Sequence, residues 1–182
     1  MPRRSKQGEL ETIRATLVEL LTNFKKELET PNLRAKVQAL VPANHLLRDF
    51  GSSLISREDA ASARDRILFY LRKYPRFVIA GDELMVVSGI GEWARRVREL
   101  RVQFGWWIYS GVTVADMVED ARITGNHAEL TSLKSCLSID PSKMKPDQYV
   151  LMRAEQDREA AHRWNVLNEI RKKKVSVSDR II

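Results

Sequence analysis

Residues 82–111, DELMVVSGIGEWARRVRELRVQFGWWIYSG, constrain the fold more than any other stretch. Their apolar residues and glycines mark out a short helix, a tight turn, a second helix and a strand in succession. Asp82 is placed to cap the first helix, whose apolar residues are Leu84, Val86 and Val87. Ser88-Gly89 stops it, since glycine accepts the positive φ of a helix end. From Glu92 onward Trp93, Val97 and Leu100 recur at i, i+4 and i+7 on one face. Arg95, Arg98 and Val102 fall on the opposite face, with Arg96 and Arg101 on the flanks. Gly105 closes this helix, and Trp106, Trp107, Ile108 and Tyr109 have the aromatic or β-branched character of a strand. A basic helix braced from behind by a shorter one suits the width of the DNA major groove. The plainer reading of the same residues is a solvated amphipathic helix.

The flanking segments supply the remaining parts of a winged helix-turn-helix. Ser56 with Asp59 three residues on makes an imperfect capping box for a helix over 57–73, which buries Ala60, Ala63, Ile67, Leu68 and Leu71. Tyr74-Pro75 ends it, because the residue before proline is pushed out of helical geometry. Phe77, Val78 and Ile79 form a short strand, and Gln148-Tyr149-Val150-Leu151 is the strand that returns to pair with Trp106 to Tyr109. Residues 112–147 are then a wing far longer than an ordinary hairpin loop. In it VTVADMVEDAR reads as a short helix, Gly125-Asn126 as a turn, and Pro141 to Pro146 as irregular. Lys134, Lys143 and Lys145 make this insertion either a DNA- or partner-touching element or a surface decoration.

Before this unit lies a helical subdomain over 1–52. Leu10, Ile13, Leu17, Leu21, Phe24 and Leu28 alternate spacings of three and four, a seam that packs within the chain or joins two copies into a homodimer through 9–29. Pro31 starts the next helix, lined by Leu33, Val37, Leu40 and Val41. Pro42 breaks it, and ANHLLRDF adds one more short turn before Gly51. After the unit, 153–182 reads as a basic helical linker with a thin stripe of Ala161, Trp164, Leu167 and Ile170, ending in Arg171 to Lys174. Asp179-Arg180-Ile181-Ile182 echoes Asp65-Arg66-Ile67-Leu68, as the start of a second repeat would.

Charge and residue usage narrow the function. A net charge of +7 favours a polyanionic partner. One cysteine, Cys136, excludes an intrachain disulfide and a cysteine-based zinc site, and fits a reducing cytoplasm. No secretory leader and no run of ~18 apolar residues is present, so no membrane partner is expected. His45, His127 and His162 are scattered, without neighbours at ligand spacing, so neither metal nor cofactor is expected. Glu92 and Glu99 sit beside arginines at ion-pair spacing, and neither a nucleophile elbow nor a phosphate loop exists. No catalytic site is read in this chain.

GDELMVVSGIGEWARRVRELRVQFGWWI, with the downstream YVL and DREAAHRWNVLNEIRKKKVSVSDRII, resembles the N-terminal region of bacterial HNH restriction-type endonucleases, in which winged-helix modules precede the nuclease. The resemblance implies double-stranded DNA as partner, a role in sequence or base-methylation recognition, and Arg95, Arg96, Arg98 and Arg101 at or near DNA. These 182 residues are expected to end before such a nuclease begins. The expected architecture is mainly α within an α+β class: an N-terminal helical subdomain (1–52), a winged helix-turn-helix (56–152) with its insertion at about 112–147, and a C-terminal helix (153–182). The candidate DNA-contact set is Glu92, Arg95, Arg96, Arg98, Arg101, Gln103 and Tyr109, with Arg95 and Arg98 toward base edges and Arg96 and Arg101 toward phosphates. Two other functions share these features: a stand-alone winged-helix transcription regulator, and a winged helix that docks proteins.

Overall fold

A computed structural model describes residues 6–172. Among the described residues eight α-helices accompany a small antiparallel sheet, so they are mainly helical and α+β. No described helix is long and apolar enough to cross a membrane. The Asp179 to Ile182 echo lies outside the described residues.

The first two helices form a hairpin, α1 (Lys6–Leu28) against α2 (Leu33–Ser53). Leu10, Ile13, Leu17 and Phe24 of the α1 seam are half-buried, while Leu21 and Leu28 stay exposed. Two expectations for α2 need correction. Pro31 does not open the helix; Asn32 caps it, its side chain accepting the Ala35 N–H at 3.2 Å. Nor does Pro42 break it, for α2 runs unbroken through Pro42 and Gly51 to Ser53. A mid-helix proline costs about 3 kcal/mol. Packing of α2 on α1 and on α4 (Gly81–Ser88) supplies the stabilisation that local preference withholds. Gly51 marks the second of these contacts, since a Cβ there would collide with the Val86 backbone. The side lined by Leu33, Val37, Leu40 and Val41 faces outward, and Ala39, Ala43 and Phe50 take the inner face.

The next helix, α3 (Ala63–Lys73), starts six residues later than the Ser56 box implies. Ser56 and Asp59 do bond to each other, but around an isolated turn. The working box is Ser62 with Asp65: the Ser62 hydroxyl accepts the Asp65 N–H, and the Asp65 carboxylate accepts the Ser62 N–H, both at 3.2 Å. Tyr74 ends α3 ahead of Pro75 as anticipated. The following strand, β1, is only Ile79–Ala80. Asp82 is not the cap of α4, which begins one residue earlier; Glu83 accepts the Ala80 N–H at 3.0 Å instead. Asp82 still lies in the first turn, where a carboxylate complements the helix dipole.

Helix α5 (Trp93–Val102) leads into β2 (Trp106–Ser110), and β3 (Gln148–Gln156) returns between the other two strands, giving the order β1-β3-β2. Alternation along β3 builds two cores. Leu151, with Ile108 of β2, joins Ile67, Leu71, Leu84, Val97 and Leu100 of α3 to α5. Val150 points the other way and meets Val114, Leu137 and Met144. These last three belong to the 112–147 insertion, which contains α6 (Gly111–Ile123), α7 (His127–Cys136) and one 3-10 turn (Pro141–Lys143). The insertion is therefore not an extended wing but a helical cover on the second face of the sheet. Periodic apolar residues explain it: Val114, Val118 and Ala121 in α6 and Leu133 with Leu137 around α7 are all buried. The segment read as a linker from 153 begins instead as the end of β3, followed by α8 (Arg158–Lys172).

Tyr70 ties α3 to the start of α4 by donating to Glu83 at 2.7 Å. Burial first, and then this bond, push its pKa up to about 12. The folded value lies above the unfolded one of about 10, so the stabilisation is complete below the unfolded value and lost as pH rises toward 12. Urea midpoints measured from about pH 9 to about pH 12 should fall further for the parent chain than for Tyr70→Phe. Parallel curves for the two proteins would show that Tyr70 carries none of the alkaline sensitivity.

Candidate nucleic-acid interface

Helix α5 is amphipathic in the sense its sequence suggests. Val97 and Leu100 are buried, and Trp93 sets its ring edge-on against Tyr149 of β3, centroids 5.6 Å apart at 90°. Arg95 and Arg98 are exposed on the outer face, while Arg96 and Arg101 are half-buried on its flanks. Trp106 packs against the first core with Arg72 over its ring, and Trp107 points to the opposite face, so the two tryptophans divide as strand neighbours must.

The outer arginines differ in how they are held. Arg96 donates to both oxygens of Glu99, at 2.7 and 2.8 Å, and this hydrogen bond holds the Glu99 carboxyl below the usual carboxylate range. Arg95 shares the same carboxylate at 3.4 Å and approaches Glu92 at 3.9 Å. Glu92 precedes α5 without capping it, so its charge is spent on Arg95. Arg98 is exposed and, among the described residues, has no carboxylate partner. A polyanion therefore meets Arg98 without displacing an internal pair, whereas Arg96 must be drawn from Glu99, both of whose oxygens accept from one of its terminal nitrogens.

The turn between α4 and α5 is wedged from two sides. Gly89 takes φ +68°, and Ser88 is fully buried with its hydroxyl donating to the Met85 carbonyl at 3.0 Å. From α3, Arg66 donates its Nε to the Val87 carbonyl at 3.0 Å and a terminal nitrogen to the Ser88 carbonyl at 2.6 Å. From α2, Ser52 and the Arg48 carbonyl crowd Gly89, where an added Cβ would lie 2.7 and 2.9 Å from them. The turn between α4 and α5 is thus braced by two helices, α2 and α3.

Beyond the C-terminal end of α5, a second basic group forms. Arg101 donates to Thr113 at 3.4 Å, Tyr109 stacks edge-on with Trp107, and the Arg153 guanidinium lies 4.9 Å over the Trp107 ring. Burial raises the Tyr109 pKa, and the nearby Arg153 and Arg101 oppose the shift. Between Leu151 and Gln156 of β3, five residue steps oppose two on β2, and this irregularity places Arg153 over Trp107. Gln103 is used structurally: its N–H donates to the Glu99 carbonyl, and its own carbonyl accepts from Asn165 of α8 at 3.4 Å.

The structure thus sets Arg95 and Arg98 on the outer face of α5 with Glu92 beside Arg95, puts Arg96 and Arg101 on its flanks with Tyr109 near the end of the helix, and engages Gln103 through its backbone with Glu99 and α8. Two basic residues escape a sequence-only reading. Arg153 follows the anticipated end of its strand, and it reaches Trp107 through a register irregularity that no local pattern reveals. Arg48 belongs to a distant helix yet brings its guanidinium beside Gly91 of the turn, a position no local pattern announces. Among the described residues no group of histidine, cysteine or carboxylate side chains is placed to hold a metal ion.

Residues 64–152, from the start of α3 to the middle of β3, match the family described as the KpnI N-terminal domain. The match supports a restriction-endonuclease-related N-terminal module over this part of the chain. No curated protein and no solved structure matches the chain.

Proposed function

We propose that this chain is a DNA-binding winged-helix module, the recognition part of an HNH restriction-type endonuclease, with α5 as the helix that enters the major groove. The observation that carries the reading is the division of α5 into a buried face of Val97 and Leu100 and an outer face of Arg95 and Arg98, braced by α4 across the Gly89 turn. The succession α3, β1, α4, α5, β2, β3 with strand order β1-β3-β2 supports the winged-helix assignment. The restriction-endonuclease-related match supports DNA as the partner. In this reading Arg98 and Arg95 reach base edges, while Arg101, and Arg96 once released from Glu99, hold phosphates. Trp107 and Tyr109, at the far end of the helix, supply the aromatic surface against which a base methyl group would be sensed.

Fluorescence anisotropy with mixed-sequence duplexes, unmethylated and methylated, at two salt concentrations tests this. Binding should weaken steeply with salt. Arg98→Ala should cost about tenfold to a hundredfold in affinity, and Arg96→Ala less, because Glu99 already occupies that guanidinium. An equal affinity for methylated and unmethylated duplexes would remove the methylation part of the proposal. No binding at low salt would remove the groove-reading role altogether.

A further inference from the structure

We infer that the N-terminal helical hairpin is part of the DNA-contacting surface, with Arg48 of α2 gripping a backbone phosphate beside the turn that leads into α5. The inference rests on the reading of α5 as the helix that enters the groove. It adds a contact from outside residues 64–152, the part of the chain that matches the restriction-endonuclease-related family.

Arg48 is exposed, and a Cβ at Gly91 would lie 3.5 Å from one of its terminal nitrogens. Gly91 stands two residues before Trp93, where α5 begins, so the guanidinium sits at the entrance to that helix. The base of the side chain is fixed as well. α2 packs on α4, with the Arg48 carbonyl and Ser52 crowding Gly89 and with Gly51 set tightly against the Val86 backbone. Two acidic residues flank the position without neutralising it. Asp49 follows Arg48 and Glu92 follows Gly91, yet Glu92 turns to Arg95 at 3.9 Å, and Arg48 has no carboxylate partner among the described residues.

The charge around the turn has the same sign. Arg66 lies against it with its guanidinium on the Val87 and Ser88 carbonyls. Arg57, exposed in the isolated turn ahead of α3, acts on Arg66: burial first, and then the Arg57 charge, lower the Arg66 pKa, with Asp65 opposing. Arginines from α2, from the isolated turn and from α3 thus gather where α4 gives way to α5. A guanidinium suits a phosphate, which accepts its planar fork of donors. In helix-turn-helix docking the recognition helix lies in the groove while the helix before it crosses the backbone. A free cation at the turn between them therefore meets phosphate, and it fixes register without reading sequence.

Anisotropy titrations of the full chain with two unrelated unmethylated duplexes across a salt series test this. Arg48→Ala should weaken both by the same factor and flatten the slope of log affinity against log salt by about one. Arg48→Lys should restore the slope, because a phosphate also accepts a point charge. Arg34→Ala removes an equal charge from the far end of α2 and should keep the parent slope. An unchanged slope in Arg48→Ala, as a merely structural role would give, overturns the inference, as does equal flattening by Arg34→Ala. If Arg98→Ala still weakens binding in either case, the reading of α5 survives. No binding by the parent chain overturns both.

Discussion

Arg66→Met is expected to destabilise the chain by about 2–4 kcal/mol and, on the proposed DNA-binding reading, to weaken binding without removing a group that touches DNA. The guanidinium closes the C-terminal end of α4, where the last carbonyls of a helix have no partner within it. It donates to two of them, Val87 and Ser88, beside a serine with no solvent exposure. Methionine preserves much of the side-chain packing but leaves both carbonyls unsatisfied in a place that water reaches poorly. A hydrogen bond from a charged donor is worth about 1.5–3 kcal/mol, and a buried acceptor left without one costs a similar amount. Arg66→Lys should recover only part of the loss, because a single ammonium cannot reproduce the fork that spans two carbonyls. Urea unfolding gives the stability term, and anisotropy under conditions where the variant is fully folded gives the binding term. A loss below about 0.5 kcal/mol would place Arg66 among ordinary surface arginines and leave the turn held by Gly89 and α2 alone.

How much of this was legible depends on how local the signal is. The helix, turn and helix from 81 to 102 are written in period 3.6, a left-handed glycine and an apolar stripe, all within about 20 residues, and the inward and outward faces of α5 follow from the same spacing. Long-range packing hid the rest. Two Ser-x-x-Asp boxes stand six residues apart, and only the core position of Ile67 and Leu71 selects Ser62 over Ser56. Pro42 reads as a break unless α1 and α4 are known to hold α2 together. Leu33, Val37, Leu40 and Val41 mark one side of α2 in the sequence without saying which way it faces, and the small Ala39 and Ala43 sit inside, where α1 approaches closely. Within the candidate site the sequence places four arginines on one helix but cannot rank them. The ranking comes from rotamers: Glu99 holds Arg96 with both oxygens and Arg95 with one, and Arg98 projects beyond its reach.

The two-sided burial of β3 yields a comparison with effects of similar or larger size. Leu151→Ala should cost about 3–5 kcal/mol, the usual range for truncating a fully buried leucine among close-packed neighbours. Val150→Ala is the more informative change. Were residues 111–147 a loose wing, Val150 would face water and its truncation would be nearly neutral. Its exposure is 0%, with Val114, Leu137 and Met144 packed around it, so a loss of about 2 kcal/mol is expected. The two variants should also part in function. Leu151 supports the layer that carries α5, so on the proposed reading its truncation should weaken DNA binding along with stability. Val150 supports the α6 and α7 cover, and its truncation should leave binding by folded protein close to the parent value if the groove-facing surface is α5. Denaturant unfolding and anisotropy on the same preparations separate the two. A stability change below about 0.5 kcal/mol for Val150→Ala would show that the insertion does not close the second face of the sheet. A full loss of stability accompanied by a comparable loss of binding at constant folded fraction would assign the helical cover itself to the DNA-contacting surface.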